Sequence, residues 1–336
     1  MVAHRAGILE SLAQLVNMQG YGLEVSPYFQ PVLGKDAYNV RYTDCIDNET
    51  IVQKASQNPG LNGAVVPKID FVWQPGKTLK QCMNDHESFD FVIASHVMEH
   101  VPNTLGWLNE ILETLKVGGR VALFLPNRKF NNDFHRKDTD FAQLLQWWIE
   151  QPIVPTVGQV LDFMSNSLSI TAEDIVDWTK PEDVVRLKPH YSRSDIISTG
   201  VALYNDSPYI DAHCTVWTPE SFRSVFREVE SAGLIGAKVI DVVDDTVEFL
   251  VVLEKTGDPA LTPPAKKSSG VGHSTGSVNL EGIEHRLGVM HHDLSFLIDR
   301  VHEAAGSTYR QEGLMQAAAQ AQEQHRRRGW FARLFQ

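Results

Sequence analysis

The sequence predicts an α/β protein: a doubly wound, mostly parallel sheet with a C-terminal antiparallel hairpin, a helical insertion and a helical tail. Three observations predict it. Short, nearly all-apolar runs such as "FDFVIAS" (89–95) and "RVALFLP" (120–126) have the composition of parallel strands buried on both faces. Helix-like stretches alternate with strand-like ones from residue 20 to 126. The rhythm breaks over 127–217, then resumes as one helix and two β runs.

In order along the chain, residues 1–19 place Ile8, Leu9, Leu12, Leu15 and Val16 at helical spacing, interrupted by Glu10, Ser11 and Gln14. This is a surface helix, without the continuous apolar stretch of a signal peptide. Strands are expected at 21–25, 39–43, 65–72, 89–95 and 120–125. "GWLNEILETLKVGG" puts Trp107, Leu108, Ile111, Leu112 and Leu115 on one stripe, with Gly118-Gly119 as the helix stop. Residues 127–217 are too long for a plain loop and read as a mostly helical insertion; its Trp147-Trp148 pair is expected in the core. "TPESFRSVFREVESAG" has Thr218 as N-cap, Pro219 in the first turn and Gly233 as the stop. "AKVIDVVDDTVEFLVVLEK" is a hairpin turning near Asp244-Asp245.

The α/β pattern ends there. Residues 256–280 are rich in Pro, Gly and Ser and read as a flexible linker. Beyond it, Leu280, Ile283, Leu287, Met290, Leu294, Leu297 and Val301 form a heptad-like stripe suited to a coiled-coil contact, so 281–305 is expected to make a homo-oligomer or a partner contact. The basic, aromatic end at 326–335 (Arg326 to Arg328, then Trp330, Phe331, Leu334 and Phe335) suits contact with a membrane surface or a partner. The domain plan is therefore 1–19, 20–255 with its insertion at 127–217, 256–280 and 281–336.

The formal charge of −12 argues against nucleic-acid binding. Cys45, Cys82 and Cys214 are sparse and lack CxxC spacing, which fits reduced thiols in the cytoplasm. No window approaches the roughly 20 apolar residues that span a bilayer.

The strand ends carry the chemistry. Glu24, Asp44 and Asp70 are expected to close the first three strands, "ASHVMEH" follows the fourth and "LPNRKF" the fifth. Carboxyl ends of such strands face the ligand crevice. An acid at the end of strand two is placed to accept from two ribose hydroxyls, and Asp70-Phe71 to meet an adenine. Acids also cap loops, but three at successive strand ends favour a nucleoside ligand. The nucleotide-binding glycines are missing from "YGLEVSPYF"; Ser26 is expected to have a negative φ and Pro27 to bias it toward an extended conformation. Asp133, His135, His190 and His213 can meet in space, but no HxxH, HxxxH or CxxC spacing supports a metal, and none is expected.

Together "LEVSP", "VRYTD", "IDFVWQPG", "FDFVIASHVMEHVPNTLGWLNEILETLKVGGRVALFLPN" and "TVWTPESF" resemble class I S-adenosylmethionine-dependent methyltransferases of Rossmann-like fold. The likeness is to the branch whose first motif reads E-I-G-P and which accompanies glycosyltransferases in polysaccharide gene sets. It covers roughly 20–255 and is most specific from Phe89 to Asn127. It implies S-adenosylmethionine as cofactor, with Glu24, Val25, Ser26 and Pro27 along its methionine part. Asp44 would hold the ribose, Asp70 and Phe71 the adenine, and Ser95 and His96 would flank the sulfonium. It also implies a sugar or glycan-linked hydroxyl as acceptor and a glycosyltransferase as partner. A hydroxyl acceptor needs a base, for which His96, His100 and His135 are the candidates. The other reading is an inactive methyltransferase-like scaffold that recruits polysaccharide-assembly proteins through its C-terminal helix. A cytoplasmic enzyme, peripheral to the inner membrane, is the expectation.

Overall fold

The computed structural model describes residues 2–57, 66–74, 76–83, 88–170, 180–206 and 208–265. The heptad stripe of 281–305 and the basic end at 326–335 lie outside them. The chain runs α1 (Val2–Leu15), β1 (Gly22–Val25), β2 (Val40–Asp44), α2 (Asn48–Gln57), β3 (Phe71–Val72), α3 (Leu79–Cys82), β4 (Phe89–Ser95), α4 (Thr104–Glu113) and β5 (Leu115–Pro126). The insertion supplies α5 (Phe141–Glu150), α6 (Val157–Asn166), β6 (Leu168–Ser169), α7 (Pro181–Val185), β7 (Lys188–Pro189) and α8 (Arg193–Asp206). α9 (Pro219–Ser231), β8 (Ala237–Asp245) and β9 (Glu248–Lys255) close the domain.

Seven strands form one sheet in the order β3-β2-β1-β4-β5-β9-β8. The first five pair in parallel, and β9 pairs antiparallel with both β5 and β8. This is a Rossmann-like sheet with an antiparallel hairpin at one edge. Alternate side chains serve opposite faces, as the two-residue period of a strand demands. Val92 and Ala94 join one core with Leu108 and Ile111 of α4, Trp147 and Trp148 of α5, and Phe222 and Phe226 of α9. Phe91 and Ile93 join the other core with Ile8 and Leu12 of α1 and Ile51 of α2. The two tryptophans are thus core residues, and the amphipathic N-terminal stretch covers a sheet face.

Local signals behave as their chemistry dictates. Thr218 and Ser221 make a reciprocal capping box at α9, with Pro219 in the first turn. Asn103 caps α4 by accepting from the Gly106 N–H.

Two boundaries differ from expectation. α4 stops at Glu113, with Thr114 as its cap, so Leu115 begins β5 instead of ending the helix. Gly118 and Gly119 lie inside β5: Gly118 has φ +81°, and a Cβ on Gly119 would come within 2.8 Å of the Lys116 carbonyl. Gly118 supplies the left-handed residue, and Gly119 leaves room beside the Lys116 carbonyl and, at 3.0 Å, that of Asp90 in β4. The third strand is also shorter than 65–72. The Asn48 side chain accepts from the Ile69 N–H and donates to the Pro67 carbonyl, diverting both groups from the sheet. β3 is left with Phe71 and Val72, so Asp70 precedes the strand and does not close it.

Residues 256–265, the start of the expected linker, stay on the domain. The Leu261 N–H donates to the Gly233 carbonyl, and the Gln151 amide donates to that of Pro264.

Candidate functional site

The strand order reverses between β1 and β4, so the carboxyl ends of these two strands part and open a crevice. Left-handed backbone gathers there. Of five described non-glycine residues with positive φ, three sit at these ends: Ser26 (φ +51°), Tyr28 (+46°) and His96 (+54°). Such conformations each cost of order 1–3 kcal/mol and collect at functional sites.

Ser26 therefore departs from expectation: φ is positive, and Pro27 does not hold it extended. The turn is fixed from elsewhere, because the Ser26 N–H donates to the Thr43 carbonyl at 2.7 Å and the Gln30 N–H to that of Pro27. Serine here takes the backbone shape a glycine would take. Val25 is the buried last residue of β1. Glu24 is buried too, and its carboxylate accepts from the Val32 N–H at 2.6 Å and the Leu33 N–H at 3.1 Å. It ties down the 26–39 loop that walls the crevice.

Asp44 ends β2, buried, with the Ile46 N–H donating to its carboxylate. Lys54 of α2 feels the charges of Asp44 and Asp211, and burial lowers its pKa before those charges partly restore it. Lys54 Nζ and Asp211 Oδ2 are buried and have no hydrogen-bond partner among the described residues. Orphaned polar atoms beside a buried acid fit a polar ligand bearing hydroxyls. That chemistry matches the ribose end of S-adenosylmethionine.

Asp70 is engaged differently. Its Oδ2 accepts from the Tyr42 N–H and from Lys35 Nζ, both at 2.6 Å, two residues short of the level at which Asp44 pairs with Val72. Phe71 is buried with the Arg41 guanidinium 4.8 Å over its ring. Trp73, just beyond β3, stacks on Trp107.

The richest cluster follows β4. Ser95 ends the strand, half-buried. His96 Nε2 lies 2.9 Å from Glu248 and Nδ1 3.4 Å from Glu99. Burial disfavours the imidazolium, but the two carboxylates outweigh it and raise the pKa to about 10. His96 is thus a held cation at neutral pH and not a free base. A single 3₁₀ turn, Met98–His100, then presents Glu99 and His100, both buried. His100 Nδ1 meets Asp211 at 2.9 Å, and its ring stands edge-on to His213. His213 Nδ1 meets Asp133 at 2.5 Å, and Asp133 also binds Arg136 at 2.8 Å. Burial raises the Asp133 pKa, yet His213 and Arg136 prevail and hold it well below the carboxylate range.

Of the histidines expected near the chemistry, His96 and His100 are here, whereas His135 is exposed with its ring against Phe134. Of the four residues weighed for a metal, Asp133 and His213 meet, while His135 and His190 face outward. Glu99, Asp211 and Glu248 were missed as site residues, and His213 was weighed only for a metal. The one sequence signal for two of them is "DAHC", which sets Asp211 and His213 two apart.

Sheet order, crevice and buried strand-end acid define a Rossmann-like domain for a nucleoside cofactor. A family model described as "Methyltransferase domain" matches residues 5–230, and the chain belongs to that family. It is an S-adenosylmethionine-dependent methyltransferase. Among solved structures it is similar to the CcbJ methyltransferase from Streptomyces caelestis, at 12% identity and TM-score 0.37, covering 75% of this chain and 94% of that one. It is similar also to the DhpI complex with SAH, at 12% identity and TM-score 0.35, over 76% and 85% of the two chains. A third is an S-adenosylmethionine-dependent methyltransferase from Mesorhizobium loti, at 10% and 0.34, over 73% and 96%. No curated protein matches by sequence.

Proposed function

We propose that the chain methylates a hydroxyl oxygen of a sugar or glycan-linked acceptor. The observation that carries the hydroxyl is the pair of buried imidazoles, His100 and His213, each backed by a carboxylate just past the end of β4. An amine offers its lone pair once neutral, but a hydroxyl is a weak nucleophile until its proton is drawn off. Polar machinery of this kind serves the second case. The sugar rests on the resemblance to the polysaccharide-associated branch.

S-adenosylmethionine supplies an electrophilic methyl group on a sulfonium. The chain's own residues bind and orient. Asp44 would accept from the ribose hydroxyls, and the Glu24-anchored loop with the Ser26 turn would receive the methionine part. His96, fixed by Glu99 and Glu248, closes the end of β4. The end of the insertion brings Asp211 to within 2.9 Å of His100 and sets His213 edge-on to the same ring, with the Tyr209 hydroxyl donating to Asp211 at 3.2 Å. Positioning of this sort is worth about 7–11 kcal/mol in favourable cases. The three free thiols suit a cytoplasmic setting. No helix among the described residues is long and apolar enough to cross a membrane. The glycosyltransferase partner, oligomer and membrane-surface contact assigned to the tail stand as parts of this proposal.

The test is product analysis. The purified chain, S-adenosylmethionine and a panel of sugars, nucleotide sugars and amines would be incubated and resolved by mass spectrometry. A methyl ether on a sugar is expected; methylation confined to amines would overturn the reading.

A further inference from the structure

We propose that Glu99, His100 and His213 bind one divalent transition-metal ion, of the Zn²⁺ or Mn²⁺ type, in the buried cluster just past the end of β4. Each residue offers a ligand atom, these atoms lie within 4.8 Å of one another, and all three residues are buried. Ligand atoms bound at about 2.1 Å to one ion sit roughly 3–4 Å apart, so the set needs little contraction.

Two further observations point to an ion. Glu99 is 1% exposed, and its Oε2 has no hydrogen-bond partner among the described residues. A carboxylate oxygen left so in a protein interior is costly unless something answers it. Each histidine, moreover, has its Nδ1 against a carboxylate, His100 on Asp211 and His213 on Asp133. That outer arrangement fixes ring orientation and tautomer and aims Nε2 as the ligating atom, as metal-binding histidines generally require. Asp133 is itself held by Arg136, which bridges to Asp162, so the support is two residues deep.

The donor set selects the ion. Two imidazole nitrogens and one carboxylate oxygen suit Zn²⁺, Mn²⁺ or Fe²⁺ better than Ca²⁺ or Mg²⁺, which prefer oxygen throughout. Three protein ligands leave positions open for an acceptor oxygen. There the ion would lower the hydroxyl's pKa, a role that rests on the function proposed above. The O–H bond breaks and its proton passes to water. The oxygen lone pair then makes the new O–CH₃ bond while the S–CH₃ pair returns to sulfur. Sequence spacing could not assemble this set, although it weighed His213 for a metal, because the ligands come from one 3₁₀ turn and from the far end of the insertion.

The experiment is a Co²⁺ titration of the chelator-treated full chain, read by visible absorption. One saturable equivalent is expected, displaced by Zn²⁺. Glu99→Gln and His213→Asn should each weaken it at least tenfold, while His190→Ala, at an exposed ring, should leave it unchanged. Calorimetry with S-adenosylhomocysteine on the same samples reports folding and the cofactor site independently of metal. No saturable cobalt band at millimolar Co²⁺ in a chain that binds S-adenosylhomocysteine would overturn the metal site and leave the methyltransferase intact. Equal affinity in Glu99→Gln and His213→Asn would overturn it as well, by placing the ion elsewhere. A metal-loaded chain that methylates only amines would keep the site and sink the hydroxyl reading instead.

Discussion

Ser26 and His96 bend the chain the same way at the ends of neighbouring strands, with φ of +51° and +54°. β1 and β4 pair in parallel up to Val25 and Ala94, and just beyond that pair both chains turn left-handed. A left-handed residue with a Cβ costs about 1–2 kcal/mol.

Ser26→Gly should relieve that cost and lose about 0.5–1 kcal/mol through the looser unfolded chain. The net change in stability is expected within about 1 kcal/mol, with binding of S-adenosylhomocysteine kept. Ser26→Val, β-branched at positive φ, should lose about 2 kcal/mol or more and weaken binding. Urea denaturation and calorimetry on both variants check this; a well-tolerated valine would mean that the turn relaxes freely.

Asp44→Ala should keep the fold and lose cofactor affinity. Hydrogen bonds to a charged group contribute about 1.5–3 kcal/mol, so a loss of tenfold or more is expected by calorimetry. Unchanged affinity would show that the ribose sits elsewhere.

Phe222 is fully buried, stacked on Phe226 with centroids 4.0 Å apart and close to Trp217. Phe222→Ala should cost about 3–5 kcal/mol by opening a cavity on the α9 side of the sheet. Equilibrium unfolding measures it, and a loss below 1 kcal/mol would contradict the packing described.

Asp90 gives a pH dependence. Its pKa is lowered by the hydrogen bond from Lys116 and then by the Tyr21 N–H, which together join the starts of β1, β4 and β5. Because the folded-state pKa lies below the unfolded one, its contribution is present above the ordinary carboxylate range and fades as pH falls through the lower folded value. The stability gap between wild type and Asp90→Asn should therefore be open at pH 7 and shrink below about pH 4. A gap independent of pH would rule out this role.

A chain ending at residue 265 keeps the hydrogen bonds of Leu261 and Pro264, whereas one ending at 258 loses both. The chain ending at 265 should melt like the full chain, and sedimentation should find it monomeric. If the full chain is equally monomeric, the heptad stripe at 281–305 makes no oligomer.

Much of the frame was legible because it is written locally. "FDFVIAS" is β4 residue for residue, and Thr218 with Pro219 starts α9. β3 was overread because Asn48, far off in sequence, takes over the backbone groups around Pro67 and Ile69. The α4 stop was misplaced because Gly118-Gly119 looks like a helix end but lies inside β5. The place of Asp44 at the end of β2 was legible from the apolar run before it. Asp133 and His213 were weighed together but Glu99 beside them was not, since that meeting depends on where the insertion returns to the sheet.

That return has a hold on the reactive turn. The Glu99 carbonyl accepts from the N–H groups of both Cys214 and Thr215, so the last stretch of the insertion is stitched to the 3₁₀ turn after β4. An insertion exchanged between related enzymes would carry Asp133, Asp211 and His213 with it and leave Glu99 and His100 behind. On the function proposed above, acceptor choice and proton handling would move as one module, and grafting a new specificity would mean matching both sides of that seam.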